Sequence, residues 1–81
     1  MLKEILTLVV NGSPTQYYIK FGKDLRRFSF QPTLKNKSAP VFVIFLRDDE
    51  LRVAGDVDNK LAEQAKEKVR TILSDNLFDN L

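Results

Sequence analysis

Val41-Phe42-Val43-Ile44-Phe45-Leu46 decides how this chain folds. The run is rich in β-branched and aromatic residues and is too short for a helix. Pro40 precedes it and Arg47-Asp48-Asp49-Glu50 follows it, so it reads as a strand ended by a turn. Successive side chains of a strand point to opposite faces. Val41, Val43 and Phe45 therefore share one face, and Phe42, Ile44 and Leu46 share the other. Both sets are apolar, whereas a half-exposed antiparallel strand alternates apolar with polar residues. The strand calls for cover on both sides.

Working outward, Leu51–Ala54 reads as a short return strand after the acidic turn. On the N-terminal side, residues 32–40 form a long loop holding Pro32, Pro40, Asn36, Ser38 and the basic pair Lys35 and Lys37. Before it, Leu25–Gln31 places Phe28 and Phe30 on one side and Arg27 and Ser29 on the other. Gln16–Gly22 alternates in the same way, with Tyr17, Ile19 and Phe21 opposed to Tyr18 and Lys20. The first strand is Leu2–Val10. Asn11-Gly12 follows it, a strong hairpin signal because both residue types tolerate positive φ.

C-terminal to the strands, Asp56-Val57-Asp58-Asn59 supplies helix N-caps and carboxylates suited to the positive end of a helix dipole. Leu61, Ala65, Val69, Ile72 and Leu73 then recur at helical spacing, and Ser74-Asp75-Asn76 is expected to end the helix. Leu77, Phe78 and Leu81 form an apolar tail. The expected fold is α+β: an antiparallel meander of four to five strands, then one C-terminal amphipathic helix packed on one face. Residues 1–81 make one small domain.

One helix covers one face of a sheet. We assign Phe42, Ile44 and Leu46 to the other, where exposure would forgo roughly 1.5–3 kcal/mol for each side chain. The candidates for its cover are the tail (Leu77, Phe78 and Leu81), curling of the sheet into a half-barrel, and a second copy of the chain. The last is expected, a homodimer whose contact includes Phe42, Ile44, Leu46, Leu77 and Phe78.

Composition narrows the chemistry. The chain has no cysteine and no histidine, which removes disulfides, thiolate or imidazole metal ligation, and catalysis by either group. Its serines lack a histidine to activate them. Asp48-Asp49-Glu50 and Asp56-Val57-Asp58 read as a solvated turn and a helix cap, not as cation sites. No glycine-rich phosphate loop exists, so no enzyme, metal or cofactor is expected. The apolar run Ile5–Val10 is shorter than a secretory core, and no stretch reaches the ~18 residues of a membrane span. A cytoplasmic protein with no membrane association is expected.

The net charge of +2 hides an asymmetry: residues 1–40 carry seven basic groups against two acidic, and residues 41–81 six against nine. The basic stretch also holds aromatic residues, a mixture that binds single-stranded nucleic acid through phosphate contacts and base stacking. The contacts expected for such binding are Lys20, Lys23, Arg26, Arg27, Lys35 and Lys37, with Tyr18 stacking. Two functions follow. The first is a non-enzymatic module that self-associates and works by protein–protein interaction. The alternative is binding of single-stranded DNA or RNA through residues 17–37.

Overall fold

The computed structural model describes the backbone of residues 2–33 and 39–79, with side chains up to residue 75. Five strands, β1 (Leu2–Val10), β2 (Ser13–Phe21), β3 (Arg27–Pro32), β4 (Phe42–Arg47) and β5 (Glu50–Ala54), precede one helix, α1 (Asn59–Asp79). The strands form a single sheet in the order β1-β2-β3-β4-β5, every neighbouring pair antiparallel. This is the expected α+β meander with a C-terminal helix packed on it.

Two hairpins close through two-residue turns with positive φ at both positions: Asn11 (51°) and Gly12 (81°), then Asp48 (54°) and Asp49 (63°). Such turns match the right-handed twist of the strands they join. The first is tighter than the sequence suggests, so β2 begins at Ser13 rather than Gln16 and includes Pro14, paired with Val9. Pro14 lies beyond the reach of β3, whose last partner on β2 is Tyr17, so its missing N–H leaves no ladder bond unmade. The third strand begins at Arg27, two residues later than expected. Leu25 turns out of strand geometry with φ 55° and donates its N–H to the Gly22 carbonyl at 3.2 Å.

Asp58 is the cap that starts α1: its carboxylate accepts the Leu61 N–H at 2.8 Å, satisfying a donor of the first turn. The helix continues past Ser74-Asp75-Asn76 to Asp79, since neither glycine nor proline stands there to break it. Leu61, Ala65, Val69 and Ile72 are buried as the periodicity requires, with Leu73 packed at their margin.

They rest on Leu8, Tyr17, Ile19, Phe21, Phe28, Phe30, Phe42 and Ile44. Phe30 and Phe42 stack with ring centroids 4.8 Å apart, and Tyr17 meets Phe42 edge-on at 5.9 Å. The assignment of faces on β4 is thereby corrected. Phe42 (2% exposed) and Ile44 (0%) lie beneath the helix, with Leu46 half-buried on the same side. Register decides this. Phe42 pairs with Phe30 and Ile44 with Phe28, so the parity of β4 follows that of β3. Residues inside the core offer no surface to a second copy. Leu77 and Phe78, the other residues expected at a dimer contact, have side chains outside those described.

Tyr17 ties the sheet to the long connection. Its hydroxyl donates to the Pro40 carbonyl at 2.8 Å, and burial raises its pKa above the usual phenol value of about 10. The fold holds the neutral phenol. Its contribution is therefore complete below pH ~10 and is lost as pH rises through the higher folded value, where the unfolded chain gains from ionising first. Tyr17→Phe is expected to lower stability by ~1–2 kcal/mol at neutral pH. That gap to the parent should narrow above pH ~10 in urea titrations. A gap that stays constant up to pH ~11 would contradict a buried neutral hydroxyl.

Candidate functional site

The sheet face opposite the helix has no cover among the described residues. Parity and register place on it Lys3, Ile5, Thr7 and Val9 from β1, and Pro14, Gln16, Tyr18 and Lys20 from β2. Arg27, Ser29 and Gln31 come from β3, Val43, Phe45 and Arg47 from β4, and Glu50, Arg52 and Ala54 from β5. Lys3, Lys20, Arg27, Arg47 and Arg52 are the cations of this face, and Glu50 is its one acid among the described residues.

Hairpin register brings these side chains into rows. Lys20 pairs with Ser29, and Ser29 with Val43. Arg27 pairs with Phe45, which pairs with Arg52, so an aromatic ring stands between two guanidinium groups on adjacent strands. A depression of about 210 Å³ opens there, lined by Arg27, Val43, Phe45 and Ala54. It exists because Ala54, opposite Val43, fills so little of the space beside Phe45. Its floor is apolar and its rim cationic, suited to a flat group carrying negative charge nearby.

Tyr18 is a second aromatic on the face, with the Lys3 Nζ 4.0 Å from its ring centroid. An exposed cation–π contact of this kind is worth ~0.5–1 kcal/mol, so a stacking group can displace the ammonium at little cost. Tyr18 lies two strands from Phe45. Its partner Gln31 is four residues along β3 from Arg27, the partner of Phe45. The two rings are thus separated by about 10 Å across the sheet and about 13 Å along it. Lys20 and Ser29 occupy the path between them.

Arg52 is held by Glu50 at 3.1 Å, with both side chains more than half exposed. Solvent weakens such a pair to a contribution of ~0–1 kcal/mol. Among the described residues the helix carries two further ion pairs, Lys66 with Glu63 and Arg70 with Glu67, so its outer surface is of mixed sign.

Of the residues expected to touch nucleic acid, Tyr18, Lys20 and Arg27 meet on the open face. Lys23 and Arg26 are exposed in the turn joining β2 to β3, at the end of the sheet nearest Arg27. Lys35 and Lys37 lie outside the described residues. Lys3, Phe45, Arg47 and Arg52 were missed because they fall outside residues 17–37, where the basic and aromatic residues cluster. The signal for them was register: two-residue turns make the parity of each hairpin partner predictable once one strand's core face is known.

No helix among the described residues is long and apolar enough to cross a membrane, and none of their acidic clusters has the form of a metal site. No family model, curated protein or solved structure matches this chain.

Proposed function

We propose that the open face of the sheet binds single-stranded nucleic acid, and that the protein is a non-enzymatic binding module. The observation that carries this reading is the composition of the face: five cations and two aromatic rings against one carboxylate. Phosphates of a strand lying across the sheet meet Lys20, Arg27 and Arg52, while bases stack on Phe45 and, after Lys3 moves aside, on Tyr18. A single strand fits this arrangement better than a duplex, because only unpaired bases present free ring faces to aromatic side chains.

Face-to-face self-association gains less support from the same surface. With Phe42 and Ile44 in the core, its apolar residues at β4 are Val43, Phe45 and the neighbouring Val41 (63% exposed). Stacking two such faces would also press Lys20, Arg27 and Arg52 of one copy toward the like charges of another, which opposes association.

The test is fluorescence anisotropy with labelled single-stranded DNA and RNA of the same sequence, and with the corresponding duplex. Three phosphate contacts give a salt slope near −2.1 for a single strand, hence about an 18-fold loss of affinity between 50 and 200 mM salt. The expected order is single strands, of either sugar, above duplex. Absence of binding at about 50 mM salt with tens of micromolar protein would refute the reading, because non-specific charge-driven binding is strongest at low salt.

A further inference from the structure

β1 is an edge strand of nine residues, and the direction of its backbone groups follows from the turn beside it. A two-residue turn makes its flanking pair, Val10 and Ser13, exchange hydrogen bonds. The alternation then turns the N–H and C=O of Leu8, Leu6, Glu4 and Leu2 toward β2. Those of Val9, Thr7, Ile5 and Lys3 point outward. One interaction verifies the parity. The Val9 N–H donates to Gln64 Oε1 at 2.8 Å, and Gln64 Nε2 donates to the Val9 carbonyl at 2.8 Å, so a helix side chain imitates a neighbouring strand.

Gln64 thus closes the edge at Val9 and leaves it open at Thr7, Ile5 and Lys3, where nothing among the described residues pairs with the outward groups. Ile5, at the middle of the open stretch, is 60% exposed, an unusual choice for an edge that is to stay single. We infer that β1 pairs antiparallel with β1 of a second copy, Ile5 against Ile5 across a two-fold axis, so that two sheets become one. This interface is independent of the nucleic-acid reading.

Register selects that axis. Outward-facing residues can pair only with outward-facing residues, which leaves three candidate centres near the middle of the open stretch. A centre at Glu4 sets two carboxylates directly opposite each other, which is repulsive. A centre at Leu6 matches Lys3 with Val9, whose backbone groups Gln64 already holds. A centre at Ile5 matches Lys3 with Thr7, Ile5 with Ile5 and Thr7 with Lys3. Every open donor and acceptor is then used, and each pair exchanges two hydrogen bonds. It also keeps the two Lys3 side chains apart, each beside its own Tyr18. The open faces of the two copies would become one continuous surface.

The absence of cysteine from the chain makes single introduced thiols unambiguous probes. Under mild oxidation Ile5→Cys is expected to yield a covalent dimer at least tenfold faster than Thr7→Cys, whose partner across the axis is Lys3. In light scattering, the parent should move from monomer toward dimer mass as concentration rises to about 1 mM, and Thr7→Pro, which lacks the outward N–H, should remain monomeric. Equal cross-linking of the two cysteine variants overturns the register. A parent that stays monomeric at about 1 mM overturns the interface. Should Thr7→Pro fail to fold, the cysteine pair still decides, because both of those positions are exposed.

Discussion

Gly55→Ala is expected to remove ~3–5 kcal/mol of stability, enough to leave a domain of this size close to unfolding at room temperature. Two causes act together. Gly55 has φ 135°, a backbone region that residues with a Cβ seldom enter, and strain of this kind costs ~1–3 kcal/mol. A Cβ built there would also stand 2.8 Å from the Phe42 Cβ, 3.2 Å from the Phe42 Cα and 3.3 Å from the Val41 carbonyl oxygen. These atoms belong to the start of β4 and the residue before it, and they cannot swing aside as the end of a long side chain can. Phe42 in turn stacks on Phe30 and meets Tyr17, so displacing it disturbs the aromatic core.

Gly12→Ala separates the two causes. Gly12 has φ 81° but no atom within 4 Å of a built Cβ, so that variant carries the strain without the clash. It should lose only ~1 kcal/mol. In urea titrations the two midpoints should differ clearly, and in thermal melts ~1 kcal/mol corresponds to about 4–8 °C. Equal losses at the two glycines would mean that Gly55 does not approach Phe42 as described.

Gly55 also illustrates what sequence could and could not convey. Each element was legible because its pattern is local. The alternation in Gln16–Phe21 and Phe28–Gln31, the Asn11-Gly12 turn and the spacing of Leu61, Ala65, Val69 and Ile72 each state a preference within a few residues. Tyr17, Ile19, Phe21, Phe28 and Phe30 share the apolar sides of their strands, and all are buried. β4 was illegible on this point because it is apolar on both parities. Its own residues express no preference, and only pairing with Phe28 and Phe30 decides which side meets the helix. The candidate site was half legible for a related reason. Tyr18, Lys20 and Arg27 stand close in sequence, whereas Phe45 and Arg52 join them only through register with β3 and between β4 and β5. Dividing the chain's charge at its midpoint hid this, because Arg47 and Arg52 belong to the acidic half of the sequence and the basic face of the sheet.

Replacing Arg27 and Arg52 together by glutamine is expected to weaken single-strand binding about 60-fold at 50 mM salt, and to make the salt dependence shallower by about 1.4 units of slope. The estimate follows from counterion release. Each lost phosphate contact removes about 0.7 from the slope, which amounts to about 8-fold in affinity between 1 M and 50 mM salt. Phe45→Leu is expected to act differently. It keeps an apolar side chain over the hollow beside Val43 and Ala54 but deletes the ring, so affinity should fall about tenfold with the slope unchanged, as loss of one base stack predicts. Glu50→Gln should tighten binding a few-fold and steepen the slope, because it releases Arg52 from its carboxylate partner and removes the one acid among the described residues of the face. That gain should vanish when Arg52 is already glutamine, which ties it to this pair and not to net charge. The four substitutions change exposed or half-exposed positions, so circular dichroism and melting should stay near the parent's and isolate the binding effect. If Phe45→Leu leaves affinity untouched while the arginine variants weaken it, the face is an electrostatic surface without base stacking. If none of them changes affinity, the nucleic acid does not lie on this face of the sheet.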